Sequence, residues 1–284
     1  MTNTPGRPIM RYHGGKWRIA PWVISHFPEH RIYVEPFGGA GSVLLRKPRS
    51  FAEVYNDLDG DVVNVFRVLR DHDQAQRLRT LLELTPWSRQ EFWLCYEPTD
   101  DPIERARRTI ARSFMAHGST HRRAHRTGFR AKNYRRNQTG AGDWRNFPGQ
   151  IPAFVERLQG VTIECRPAIE IILQQDTADT LHYVDPPYVL NTRSSIRCQS
   201  ERDGWRAYVH NLTDDEHESL AEVLRSLDGM VVLSGYPSPL YDELYKGWSS
   251  IERSALADGG MKRLEVLWLN EAAVERHHQI EAAL

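Results

Sequence analysis

Asp185-Pro186-Pro187-Tyr188 brings together groups that suit one kind of chemistry. A carboxylate accepts hydrogen bonds, a rigid Pro-Pro turn offers its carbonyls, and a tyrosine offers a flat aromatic face. Such a set can hold a planar base that bears an amino group. The apolar pair Tyr183-Val184 leads into it. Two consecutive prolines remove two N–H donors and fix two φ angles, so a strand must stop there. The strand delivers Asp185 to its carboxyl end and leaves Tyr188 just outside, at the edge where open α/β sheets bind ligands. Asp-Pro alone is an ordinary turn former; the four residues together, behind a strand, point to a site.

A second set lies nearer the N-terminus. Arg31–Val34 reads as a strand and runs into Glu35-Pro-Phe-Gly-Gly-Ala-Gly-Ser-Val43, a glycine-rich turn that predicts a helix over Ser42–Arg46. Gly38, Gly39 and Gly41 let the backbone approach a cofactor at a helix N-terminus. Leu44 stands where the third glycine of a dinucleotide fingerprint would fall. Phe51–Asp57 reads as a second strand ending in an acid, and a carboxylate there can accept both ribose hydroxyls of a nucleoside. Asp57 is the candidate, because Asp61 belongs to the first turn of the helix Val62–Arg70. Further upstream, Arg11–Lys16 holds a Gly-Gly-Lys that precedes an amphipathic run and could meet an anion. Two nucleoside cofactors suit this pattern, a nicotinamide dinucleotide and S-adenosylmethionine. The incomplete fingerprint and Glu35 beside the turn favour the second, which carries a sulfonium and no phosphate.

Between Arg105 and Gly142 stand eleven bases and no acid: Arg105, Arg107, Arg108, Arg112, Arg122, Arg123, Arg126, Arg130, Lys132, Arg135 and Arg136. The chain has 37 of each sign, so 26 bases face 37 acids elsewhere. So one-sided a run calls for a polyanion, and arginine suits bidentate contacts to phosphate and guanine. Interleaved His117, His121, His125, Phe129 and Tyr134 fit nucleic-acid binding. His121 and His125 have no Cys pair or acid beside them, so no metal site is assigned.

The elements that must position these groups follow from the rest of the 284 residues. Val161–Cys165, Met230–Ser234, Trp248–Leu256 and Arg263–Asn270 read as further strands, the last two joined at Asp258-Gly-Gly260 into a hairpin. Ala168–Gln174 and the stretch through Leu227, opened by the capping box Thr213–Glu216, read as helices. Asn191–Tyr208 reads as a mobile loop over the site. The expected fold is α/β: a seven-stranded, mostly parallel sheet with an antiparallel edge hairpin. Residues 1–75 and 151–284 make the catalytic domain, and 76–150 an inserted, mainly helical basic subdomain. Composition, 40% hydrophobic and 26% charged, is that of a globular protein. Cys95, Cys165 and Cys198 form no C-x-x-C pair and suit a reducing compartment. No signal core and no run of 18 apolar residues is present, so a cytoplasmic setting without a membrane span is expected.

The ordered set Tyr12-His-Gly-Gly-Lys16, Val34–Val43, Asn56-Asp57, Asp185–Tyr188, Leu233-Ser-Gly-Tyr236 and Arg263–Leu269 resembles the Dam-type, or D12-class, adenine-N6 DNA methyltransferases, especially short bacteriophage and prophage members. The resemblance covers nearly the whole chain. It implies a Rossmann-like methyltransferase sheet, S-adenosylmethionine as donor and double-stranded DNA as substrate, with no metal required; the sequence does not give the oligomeric state, and a monomer is favoured. It places Tyr12 where the Dam enzymes have a tryptophan that contacts the cofactor. Lys16, Phe37, Gly39 and Gly41 match the cofactor-contacting positions, Asp57 the ribose acid, and Asp185 and Tyr188 the catalytic acid and stacking aromatic. Glu35 and Asp185 also face the cofactor on this reading, and Pro186 and Pro187 complete the catalytic turn. Arg112, Arg122, Arg123, Arg126, Arg130, Lys132 and Arg135 are the expected DNA contacts, although the basic region does not align with the GATC-reading residues of Dam. The same fold also accommodates N4-cytosine or RNA amino-methylation. A silent DNA-binding protein is a further alternative, against which Lys16, Asp57 and Asp185 speak.

Overall fold

The computed structural model describes residues 4–117, 126–131, 139–189, 211–256 and 262–281. Arg122, Arg123, Lys132, Arg135, the 191–208 loop and the 258–260 turn lie outside the described residues. The chain forms two compact units. One comprises Met1–Trp17, Gly39–Arg46 and Asp59–Ile163; the other comprises Arg18–Gly38, Lys47–Leu58 and Glu164–Leu284. The stretch 76–150 falls wholly within the first.

The described strands make the expected seven-stranded sheet. They are β1 (Ile32–Glu35), β2 (Ala52–Asn56), β3 (Val161–Glu164), β4 (Thr180–Val184), β5 (Met230–Gly235), β6 (Ser249–Leu256) and β7 (Lys262–Leu269), in the order β3-β2-β1-β4-β5-β7-β6. β1 pairs in parallel with β2 and β4, and β4 with β5, while β7 runs antiparallel to β5 and β6. The order reverses at β1 and β4, the switch point where ligands bind outside the strand ends. Glu35 and Asp185 stand at those two ends.

β4 is buried along its whole length, as expected of a central parallel strand. Alternate residues face opposite sides of the sheet. On one side Val184, Val231, Leu233, Val266 and Trp268 pack with Ile172 of α8 (Ala168–Gln175), Leu220 and Leu224 of α9 (Asp214–Arg225), and Tyr241 of α10 (Pro239–Leu244). Elsewhere in this unit the ring of Phe27, beyond α1 (Ala20–Ile24), meets those of Tyr33 and Tyr183 at 5.8 and 5.5 Å. The capping box at Thr213 is present, with Glu216 closing it. Asn270, read from sequence as the end of β7, instead caps a helix, α11 (Glu271–Glu281), by accepting from the Ala273 N–H.

In the other unit, α2 (Gly60–Arg70), α3 (His72–Leu84), α4 (Arg89–Leu94), α5 (Pro102–Met115), α6 (Gly140–Arg145) and α7 (Ile151–Leu158) pack on one another. Asp59, Asp71, Ser88, Asp101 and Thr139 cap the first five through their side chains. The helix expected over Ser42–Arg46 does not form. Residues 39–46 are a run of turns, in which the Leu45 N–H donates to the Gly41 carbonyl at 2.9 Å and the Arg46 N–H to the Val43 carbonyl at 3.1 Å. Gly39 and Gly41 have φ of 48° and 59°, and Pro48 bars the α conformation just upstream, so too few residues remain for a helix. The idea of a cofactor held by that helix's N-terminus therefore falls away.

The charge of the basic stretch is also smaller at the surface than the count suggested. Arg105 pairs with Asp61 at 2.6 Å, Arg107 with Glu91 and Glu104, and Arg108 with Glu104 at 2.7 Å. All three acids lie before the window in which none was found.

Candidate active site

In the sheet-bearing unit the site is built on the ends of β1, β2, β4 and β5. Asn56, fully buried at the end of β2, donates to the Pro36 and Arg166 carbonyls and accepts from the Arg166 N–H. The Gly38 N–H donates to the Asn56 carbonyl at 2.8 Å. A Cβ on Gly38 would lie 2.1 Å from the Tyr55 ring, so only glycine fits. These bonds fix where the turn leaves β1 and set Asp57 just past the end of β2. Glu35 is buried and accepts the Tyr33 hydroxyl at 2.8 Å. Phe37 packs against the α9–α10 core.

Asp185 follows β4 and accepts a hydrogen bond from Ser234 Oγ at 2.8 Å. Tyr188, 6% exposed, donates its hydroxyl to Glu265 of β7 at 3.1 Å. Its ring meets Tyr236 edge-on at 4.4 Å, and the Arg263 guanidinium lies 4.9 Å from the Tyr236 ring. Burial, reinforced by Asp185 and Glu265, pushes the Tyr188 phenol well above its ordinary pKa. Burial does the same to Tyr183 and Tyr33, with Asp185 and Glu35 respectively adding to it. All three are therefore donors at neutral pH. Sequence reasoning named Asp185 and Tyr188 but gave no role to Ser234, Glu265, Tyr236 or Arg263. A signal existed: Glu265 is an acid inside the apolar run Leu264–Leu269, and a buried charge requires partners.

Tyr12, Lys16, Gly39 and Gly41 belong to the other unit. The Gly15 N–H donates to the Tyr12 carbonyl at 3.2 Å, and Lys16, buried, donates to the Gly14 carbonyl at 3.1 Å. A Cβ on Gly39 would sit 2.7 Å from the Tyr12 ring. The tyrosine thus lies against bare turn backbone.

Of the expected DNA contacts, Arg112 is misassigned. It is 1% exposed, donates to the Cys95 carbonyl at 2.6 Å and lies 3.8 Å from Asp61. The buried face of α5 claims it for the core. Arg126 is 63% exposed at its side chain, with Glu97 at 3.6 Å. Arg130 donates to the Phe114 carbonyl at 3.1 Å, and its N–H pairs with the Met115 carbonyl. Ala116 and Phe129 form an antiparallel bridge beside it. Among the described residues no helix is long and apolar enough to cross a membrane, and no group of three His, Cys, Asp or Glu could hold a metal.

The strand order and the acid-Pro-Pro-Tyr terminus define an α/β methyltransferase fold. The chain belongs to the family of D12 class N6 adenine-specific DNA methyltransferases, whose sequence pattern matches residues 12–258. It is thus an adenine-N6 DNA methyltransferase. Relatives include a DNA adenine methylase of Vibrio cholerae serotype O1, 25% identical over 85% of each chain. Another is the DNA adenine methylase of Salmonella typhi, 24% identical over 90% of this chain and 92% of its own. The Type II methyltransferase M1.LlaDCHI of Lactococcus lactis subsp. cremoris is 23% identical over 90% of each.

Proposed function

We propose that S-adenosylmethionine is the methyl donor and that an adenine turned out of double-stranded DNA is the acceptor, held by Asp185, Pro186 and Tyr188. The donor set fits such a cofactor. Asp57 suits ribose hydroxyls, the buried Glu35 suits a cationic sulfonium, and the bare glycine turn beside Tyr12 suits close approach of a flat adenosine. Tyr12, Lys16, Glu35, Phe37, Gly39, Gly41 and Asp57 would hold it. When bound, it supplies the electrophilic methyl group.

This chain's own residues then act on the base. An adenine inside a duplex is out of reach, so it must leave the stack. Tyr188 offers it an aromatic face that Glu265 and Tyr236 hold still. The exocyclic nitrogen is a poor nucleophile because its lone pair is conjugated into the ring. Asp185 and the Pro186 carbonyl accept hydrogen bonds from its two N–H groups and draw it toward tetrahedral geometry. The gain is positioning and electrostatics in a preorganised site. The observation that carries this reading is the Asp185 carboxylate fixed at the end of β4 by Ser234. Arg126 and Arg130, with Arg122, Arg123, Lys132 and Arg135, would supply the phosphate and base contacts.

Labelled-methyl transfer to unmethylated plasmid, followed by nucleoside analysis, tests it. Wild type should yield N6-methyladenine, and Asp185→Ala should yield none while still binding DNA. An active Asp185→Ala enzyme would sink the role given to this acid, and N4-methylcytosine would overturn the base.

A further inference from the structure

Ser234 of β5 is hydrogen-bonded to the Asp185 carboxylate and also meets a buried phenol. Val184 pairs with Leu233, so Asp185 and Ser234 stand level on adjacent parallel strands. Tyr183 and Asp185, two residues apart, face the same side of the sheet. The Ser234 hydroxyl lies between them, 2.8 Å from Asp185 Oδ1 and 3.2 Å from the Tyr183 hydroxyl. A serine has a single hydroxyl proton, and an ionised carboxylate can only accept. The direction of the chain is therefore fixed: Tyr183 donates to Ser234, and Ser234 donates to Asp185. Both hydroxyl residues are 1% exposed, and the Tyr183 ring is braced by Phe27 at 5.5 Å.

We propose that Ser234 is a positioning residue for methyl transfer, one that sets the rotation of the Asp185 carboxylate through this Tyr183–Ser234–Asp185 chain. The inference rests on the role of Asp185 given above. The terminal torsion of an aspartate is broad and roughly two-fold, so packing alone leaves the carboxylate plane loosely defined. A charge-assisted bond to Oδ1, from a hydroxyl itself held by a buried phenol, picks one plane. That plane decides whether the acid's lone pairs meet the amino hydrogens at an angle that pyramidalises the nitrogen. The loss of Ser234 should then be felt in the chemical step, with binding of DNA and cofactor spared.

The test uses the full chain and compares wild type, Asp185→Ala, Ser234→Ala, Ser234→Cys and Ser234→Thr. Single-turnover methyl transfer is read at saturating S-adenosylmethionine and plasmid DNA, alongside DNA affinity and thermal melting with and without cofactor. Removing a hydrogen bond to a charged group corresponds to a loss of about tenfold to a hundredfold. Ser234→Ala should lose rate by about that factor with DNA and cofactor affinity within about twofold of wild type. Ser234→Thr, which keeps the hydroxyl, should recover most of it. Should Ser234→Ala fail to fold, Ser234→Cys keeps the volume but donates weakly, and should show the same loss of rate. A wild-type rate in either variant, or a loss matched by equal weakening of DNA or cofactor binding, overturns the inference. An active Asp185→Ala enzyme overturns the underlying reading instead.

Discussion

Tyr188 separates two functions that its ring and its hydroxyl could each perform. The hydroxyl is committed to Glu265 at 3.1 Å, and both side chains are buried. Tyr188→Phe keeps the ring and removes one donor from a carboxylate that is 8% exposed. A hydrogen bond to a charged group contributes about 1.5–3 kcal/mol, so the variant should lose that much stability. It should keep its methyl-transfer rate within about threefold, because an aromatic face remains for the base. Tyr188→Ala removes the face as well, and base–aromatic stacking of about 1–3 kcal/mol converts to roughly a fivefold to 150-fold weaker capture of the flipped base. Urea unfolding gives the first quantity. Single-turnover transfer, with 2-aminopurine fluorescence at the adenine identified by sequencing modified plasmid, gives the second. If Tyr188→Phe loses as much rate as Tyr188→Ala, the hydroxyl takes part in the chemistry and its bond to Glu265 is not the anchor argued here.

Two more outcomes follow from buried groups. Arg112→Ala should cost about 3 kcal/mol in urea unfolding, at the low end for a broken buried pair because Arg105 stays on Asp61. It should leave the salt dependence of DNA binding unchanged, whereas Arg126→Ala should reduce the slope of log affinity against log salt by about one. His182 is fully buried on β4, and burial lowers its pKa from 6.5 to about 4, outweighing Asp176 at 3.4 Å. The folded state therefore resists protonation that the unfolded chain accepts. Stability should be full above pH 6.5, fall as pH drops toward 4 and level off below, by about 3 kcal/mol in total. Urea melts at pH 7 and 5 should show most of that loss in wild type and none of it in His182→Asn.

The strand end at Asp185-Pro-Pro-Tyr was legible because proline acts locally, and a strand cannot pass two of them. The sheet's content was legible for a similar reason, in buried runs such as Met230–Ser234. What sequence reading missed depends on burial and on partners far along the chain. Arg112 counts as one positive charge among eleven, but its position on the inner face of α5 decides its role. Tyr183 and Ser234 are 51 residues apart, and Tyr188 and Glu265 are 77 apart, so neither pair is visible as a spacing. The 42–46 helix failed for the opposite reason. A strand and a glycine-rich turn led one to expect it, but positive φ at Gly41 and the nearby Pro48 left it no room.

Register links the fold to the chemistry. A strand buried on both faces carries no alternation to choose its pairing, and a one-residue slip would turn Asp185 to the opposite face. The pairing must therefore be set at the strand starts. Asp176, just ahead of β4, accepts from the Asp228 and Gly229 N–H groups at 3.0 and 2.9 Å, which ties the turn before β5 to the turn before β4. Gly229 has no room for more: a Cβ there would lie 2.7 Å from Asp176 and 3.1 Å from the Thr180 carbonyl. Asn270 holds the same turn by donating to the Gly229 carbonyl and accepting from the Val231 N–H. With the starts pinned, Met230 pairs with Leu181, and the rungs that follow bring Ser234 level with Asp185. The acid proposed to hold the amino group is thus placed by a carboxylate at the far end of its own strand.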